Sequence, residues 1–224
     1  MIMDVSENNR VDNAEIPKKA VSRTEKRVAK TQKKLLNAAL EVFSEYGVDA
    51  TTIDDITQRA DLGKGTFYRH FSDKAEIMSC LVDQAIENLI ENLQKVESAT
   101  TIEESLDCII DVHYRFFLEH QEEFILLFQG RLFLKLDRQI TEQMEEPFNR
   151  YFEAIENLLS PYVSEKMDLL RIRRFACAVA GFVFGFFSFA MIGMESEEIE
   201  IGIKPLRQSF VKSLSAFLVQ QNKI

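Results

Sequence analysis

Residues Thr51 to Lys74, TTIDDITQRADLGKGTFYRHFSDK, leave little freedom in what this chain can fold into. Thr52 suits a helix N-cap, and Asp55 three residues later completes a capping box. Ile53, Ile56 and Ala60 recur at helical spacing, so one face of the helix is apolar. The helix is expected to stop near Asp61, a residue type that tolerates the left-handed backbone of a tight turn. A second helix is expected over Lys64 to Phe71. Its Phe67 and Phe71, four apart, can pack back on Ile53 and Ile56. The outer face then carries Lys64, Thr66, Tyr68, Arg69 and His70. A helix–turn–helix presents such a face to the major groove. Any helical hairpin has a polar outer face, however, so spacing alone leaves open whether this one reads DNA or is merely solvated.

The charge distribution bears on that choice. The net charge of −9 looks wrong for a DNA binder, but it is unevenly placed. Residues 1–80 hold 13 basic and 13 acidic side chains, whereas residues 81–224 hold 14 and 23. Within the first part, residues 18–34 set eight cations against Glu25 alone. A basic stretch therefore leads directly into the hairpin, although for Lys18 and Lys19 a solvated tail is an equal reading.

The run A-D-L-G-K-G-T-F-Y-R-H-F-x-D-K, ending at Lys74, resembles the signature of the TetR (tetracycline-repressor-like) family of bacterial transcription regulators. The resemblance is close over about residues 30–78 and extends beyond only in length and layout. Two positions depart from it. The family usually has Gly where this chain has Asp61, and Ser or Thr where it has Gly63. The hydroxyl contact to phosphate that the second position often supplies is therefore not expected here.

The resemblance implies an all-α protein with an N-terminal three-helix helix–turn–helix DNA-binding domain and a larger C-terminal helical ligand-binding and dimerisation domain. The expected divisions are 1–21 for a disordered arm, 22–73 for the DNA-binding domain and 74–224 for the rest. The scarcity of Gly (8) and Pro (4) agrees with helices rather than a turn-rich β fold. Double-stranded operator DNA, a second copy of the chain and a small-molecule effector are the expected partners, in the cytoplasm. Arg69 and Lys64 are the candidates for guanine or phosphate, Thr66 and Tyr68 for base edges or thymine methyl, and His70 for phosphate. Thr52 and Lys74 are expected to clamp the DNA backbone. On that assignment, Lys74→Ala would flatten the salt dependence of binding by about one unit.

The remaining chain reads as helices. One is expected from about Arg23 to Tyr46, with Leu35, Leu36, Ala39, Val42, Phe43 and Tyr46 as its stripe and Gly47 as its stop. Asp73-x-x-Glu76 caps a long helix running through Ile77, Leu81, Ala85, Leu89 and Leu93 to about Glu97, which belongs to both domains. Thr101-x-x-Glu104 caps the next, ending near Glu119, with His113 and His120 on its apolar face. A histidine on such a face is ordinarily a satisfied core residue. Two of them, seven apart around Phe116 and Phe117, leave ligand contact equally open. Phe124 and Phe128 begin a short helix that also carries Arg131, and Tyr151 and Phe152 lie in a helix spanning about Leu136 to Leu159, which Pro147 should kink or restart. Together these nine side chains are the candidate ligand contacts, and their chemistry suggests a largely apolar or aromatic ligand with one polar or acidic end.

Phe175 to Met194 holds twenty residues without a charge, enough to cross a bilayer. Its small residues and its lack of leucine favour a helix buried against its own domain on one face and a partner on the other. After an acidic loop, Glu195 to Glu200, Pro205 is expected in the first turn of a last helix with Leu206, Phe210, Leu214, Phe217 and Leu218 as its stripe. The family resemblance implies that these two helices pair with their copies across a two-fold axis. Phe182, Phe186, Phe189, Phe210, Leu214 and Phe217 are the candidate contacts, and the recognition helices would then sit about 34–36 Å apart.

Cys80, Cys108 and Cys177 are odd in number and widely separated, so neither a disulfide framework nor a metal site is expected. The first thirty residues lack an apolar core, so no signal peptide is expected. No nucleophile elbow, His-Glu-x-x-His, phosphate loop or dinucleotide fingerprint occurs, which argues against an enzyme and against a cofactor. A helical membrane-associated or protein-interaction module that never reads DNA is the competing class, along with a DNA-binding regulator that senses nothing.

Overall fold

The computed structural model describes residues 22–96, 99–133, 138–163 and 169–221, and over them the chain is all-α. The arm expected at 1–21 lies outside the described residues, as does Leu136.

Helix α1 (Arg23–Tyr46) opens on a capping box between Ser22 and Glu25 and closes at Gly47, whose φ of 82° is a backbone that glycine adopts at little cost. Helix α2 (Ile53–Arg59) starts on the expected Thr52–Asp55 box. Asp61 takes the left-handed turn at φ 51°. Helix α3 is shorter than expected: only Lys64–Phe67 is α-helical. The coil nevertheless runs on to Phe71 through tighter bonds, Arg69 N–H to the Thr66 carbonyl (3.3 Å) and His70 N–H to the Phe67 carbonyl (2.8 Å). Phe67, Phe71 and Ile56 are buried together, which fixes the hairpin angle from inside.

Helix α4 (Lys74–Gln94) is capped by Asp73, but Glu76 reaches back to the Ser72 N–H (2.5 Å) rather than closing a box on Asp73. It packs against α1 and against three helices of the C-terminal part: α5 (Ile102–Glu119), α6 (Gln121–Phe133) and α7 (Arg138–Leu159). It is thus shared by an N-terminal helix–turn–helix domain and a C-terminal helical domain. Arg150 of α7 grips it ionically, reaching Asp83 and Glu87 one turn apart. Pro147 lies inside α7 without ending it. The side chains of Ile140 and Met144 lie outside the described residues. A short 3₁₀ turn at Ser160–Tyr162 ends this layer.

Helix α8 (Leu169–Gly193) packs on α5, α6, α7 and α9, burying Phe175, Val179, Val183, Phe184 and Phe187. It is the one helix among the described residues long and apolar enough to cross a membrane. Helix α9 (Ser196–Gln221) corrects the expected acidic loop: it starts within that stretch, nine residues before Pro205. Glu197 and Glu198 occupy its first turn, where the helix dipole favours carboxylates. Pro205 sits exposed in the interior, so the carbonyl it leaves unpaired faces solvent. The buried stripe of α9 agrees with the expected one only in part, at Leu218 and at the half-buried Phe210 and Leu214. Ile199, Ile203, Val211, Ser215 and Leu218 point inward, while Leu206 and Phe217 point out.

Candidate nucleic-acid interface and aromatic core

On α3, Lys64, Tyr68 and Arg69 are exposed and Thr66 and His70 half-buried, all around a wholly buried Phe67. Tyr68, 53% exposed, rests edge-on against the Phe67 ring (5.5 Å, 83°), so its orientation is set by the core. Arg69 donates to the Thr66 hydroxyl (3.0 Å) and has no carboxylate within ion-pair reach among the described residues. Lys64 pairs with Asp54 of α2 (3.0 Å), whose hydrogen bond holds the ammonium pKa above its ordinary value. Thr52 caps α2, and its hydroxyl donates to the Asp55 carboxylate (2.7 Å). Arg59 at the end of α2 bridges Glu41 (2.9 Å) and Glu45 (2.8 Å) of α1, tying the hairpin to the helix behind it.

Lys74 is in the first turn of α4, as expected, but its ammonium is not free. Its Nζ donates to the carbonyls of Val48 (2.6 Å), Asp49 (3.3 Å) and Thr51 (2.8 Å). Its three N–H donors therefore match three carbonyls of the α1–α2 connection. The buried Thr51 hydroxyl secures the same loop through the Val42 and Gly47 carbonyls. In this geometry the side chain holds the loop that presents Thr52, which points to a structural role for Lys74 as an alternative to the expected phosphate clamp. Lys74→Ala should therefore lower the melting temperature and weaken DNA binding while leaving the salt slope unchanged. A slope lower by about 0.9 would favour the phosphate assignment instead. Thermal unfolding and a salt series on the same variant separate the two.

The candidate ligand residues divide into separate environments. His113, Phe117, Phe124 and Tyr151 join Phe184 and Phe187 of α8 in one closed aromatic cluster, with Phe117 stacked on Phe187 (4.4 Å) and Phe124 on Phe184 (5.0 Å). His113 is only 1% exposed. Its Nδ1 donates to the Ile109 carbonyl (2.6 Å), so its Nε2 accepts from the Tyr151 hydroxyl (2.7 Å). Burial pushes its pKa down to about 4. His120 does not share this site. It is the C-cap of α5, stacked on Phe116 (5.1 Å) and facing Glu123 and Asn88. Phe116 and His120 instead line a cleft of about 400 Å³ with Asn92, Lys95 and Arg115. Phe152 is half-buried against Tyr151, with the Arg173 guanidinium over its ring at 5.3 Å. Phe128 is half-buried, and the side chain of Arg131 lies outside the described residues.

Of the candidate interface rings, Phe182 and Phe210 stack on each other within one protomer (4.2 Å, 8°), joining α8 to α9. Phe186 and Leu214 are half-buried, whereas Phe189 (75% exposed) and Phe217 (51%) face outward. Sequence reasoning missed a second tie to α9. Arg207 reaches Asp107 (2.5 and 2.6 Å) and Asp111 (3.3 Å) of α5, and also donates to the Asp107 carbonyl. The carboxylates four apart on α5 were readable, but their partner lies about a hundred residues on.

Residues 35–79 match the model of bacterial regulatory proteins of the tetR family. The chain is 26% identical over 132 residues to the uncharacterized regulator YvdT of Bacillus subtilis, covering 58% of this chain and 66% of YvdT. It is 26% identical over 127 residues to the transcriptional activator FasR of Mycolicibacterium smegmatis, covering 56% and 57%. The chain thus spans less than two thirds of the length of either relative. In fold it is similar to the transcriptional regulator FadR of Bacillus subtilis, solved in complex with stearoyl-CoA. The TM-score is 0.65 at 18% identity over 82% of this chain and 97% of that one.

Proposed function

The chain belongs to the TetR family of bacterial regulatory proteins, and on that premise we propose that it is a dimeric, sequence-specific repressor released from its operator by a small, largely apolar effector. The observation that carries the DNA-reading part is the α3 surface. Lys64, Thr66, Tyr68, Arg69 and His70 project from a turn whose other side, Phe67 and Phe71, is locked in the core. Donors fixed before contact lose little conformational entropy on binding. We place the DNA-binding domain at residues 22–73 and the effector and dimerisation domain at 74–224.

The effector reading rests on the aromatic cluster of α5, α6, α7 and α8. It offers stacked rings and one buried polar pair, His113 and Tyr151, which suits a long apolar body with a single polar end. The stearoyl-CoA bound by the similarly folded FadR is a molecule of that kind. An effector entering the cluster must displace rings of α6 and α8. Because α6 touches both α1 and α4, such a displacement reaches the DNA-binding domain. An effector preferring the displaced state by about 1–3 kcal/mol shifts the population away from the operator-fitting one.

The test is fluorescence anisotropy with DNA flanking the protein's own gene, in a salt series with competitor. Binding of one dimer per site that resists competitor is expected. Tyr68→Ala should cost about 1–3 kcal/mol on that site and much less on random duplex. Equal losses on both would remove Tyr68 from base reading. Titrating fatty acids and acyl thioesters into the complex should release the DNA; release by cationic compounds alone would sink the effector assignment.

A further inference from the structure

The first half of α1 is a surface that the helix–turn–helix does not account for. Residues 22–30 are all exposed, and α1 contributes its first buried side chain only at Leu35. This is not a frayed end: the Ser22–Glu25 capping box closes it, Ser22 N–H to Glu25 at 2.7 Å and Glu25 N–H to Ser22 at 3.1 Å. The segment carries Arg23, Lys26, Arg27, Lys30, Lys33 and Lys34, every one exposed and none in an ion pair among the described residues. Their spacing of three and four puts all six within an arc of about 120°, and twelve residues extend the stripe over roughly 17 Å. Leu35, Ala39 and Val42 point the opposite way, into the core. Glu25 also lies off the stripe, and Glu41 and Glu45 further along α1 are engaged by Arg59.

We propose that this stripe is a second DNA-binding surface, which lays α1 along the phosphate backbone beside the bases read by α3. The proposal rests on the DNA-binding reading above. Two features select duplex DNA over an anionic membrane. A helix that lies in a bilayer surface needs an apolar face opposite its cations. Here that face holds Thr24, Glu25, Val28 and Gln32, with Val28 its one large apolar side chain. Further, the stripe is part of the same unbroken helix whose second half packs on α2 and α4, so its cations are held rigidly with the recognition unit. Phosphates repeat along each strand about every 3.4 Å of axis, so a stripe of this length meets several. The surface supplies affinity and no sequence preference.

The experiment compares the full chain with a K26Q/K30Q/K33Q/K34Q variant, since glutamine keeps helix propensity and all four positions are exposed. Salt series are run on random-sequence duplex and on the duplex that the wild-type protein selects from a random pool. The proposal expects the salt slope to fall by about two to four on both duplexes, with their affinity ratio unchanged. Circular dichroism should be that of the wild type. A slope within half a unit of wild type overturns it, as does unchanged DNA binding with lost binding to phosphatidylserine vesicles. If no duplex is selected, the proposed function fails. The random-duplex slope still decides whether the stripe binds a nucleic-acid backbone.

Discussion

Between pH 6.5 and pH 4 the wild-type protein should lose about 3 kcal/mol of stability that a His113→Gln variant does not lose. The cause is the burial of His113 between α5 and Tyr151, which disfavours the imidazolium and lowers the pKa from 6.5 to about 4. A hydrogen bond to the Ile109 carbonyl opposes the shift without cancelling it. The unfolded chain takes up this proton below about pH 6.5, whereas the folded chain takes it up only below about pH 4. In that window the unfolded state binds more protons, so acid favours unfolding. The contribution is complete above pH 6.5 and lost as pH falls towards 4. Each pH unit of separation corresponds to about 1.4 kcal/mol, which gives the magnitude. Carboxylates also titrate below pH 5, so the quantity to read is the difference between the two stability–pH curves from urea denaturation. The variant should be the less stable protein at pH 7, because it disturbs a buried hydrogen-bonded pair. Its curve should nevertheless converge on that of the wild type in acid. Parallel curves would mean that His113 is solvated, and the closed aromatic cluster would then be the wrong picture of this core.

The same residue shows how far the sequence could be read. His113 and His120 are seven apart and fall on one face of an ideal helix, yet they occupy different environments. The reason is local. His120 is where α5 ends, at φ −136° and ψ 54°, so the periodicity that pairs the two histidines stops at the second. Signals carried by neighbouring residues were legible: Thr52 with Asp55, Gly47 as a stop, Asp61 as the left-handed turn, and Phe67 with Phe71 as the inner face of the hairpin. What depended on a distant partner was not. Lys74 at the start of a helix beside a DNA-reading face suggests phosphate, but the acceptors it finds are carbonyls more than twenty residues earlier. The start of α9 was misplaced because Pro205 and four glutamates read as a loop, whereas carboxylates at a helix start and an exposed interior proline are both compatible with a helix.

Replacing Gly181 by Arg should turn a dimer into a folded monomer and reduce operator affinity by about two orders of magnitude or more. Helix α8 leaves part of its apolar surface uncovered. Ala178 and Gly181 are exposed on one face, continued by Phe189 (75%) and Ile192 (79%), while Leu206 and Phe217 of α9 are also turned outward. An exposed apolar surface of this kind calls for a partner, and the proposed partner is a second copy. Glycine at 181 and at 185 lets two helices approach closely. Neither is required within the protomer, since a Cβ built on either meets no atom within 4 Å. Arginine at 181 therefore finds open space in the single chain and even gains helix propensity, by up to about 1 kcal/mol. Across a two-fold interface the same side chain would be doubled, buried and unpaired. Loss of the dimer unlinks two half-site contacts whose joint effect is about 10²–10⁴ in affinity. Sedimentation equilibrium, circular dichroism and the operator assay on one preparation make the test: half the mass, unchanged helicity and lost specific binding. If Gly181→Arg instead remained a dimer with wild-type operator affinity, the α8 face would lie outside the interface, and the exposed rings would need another partner.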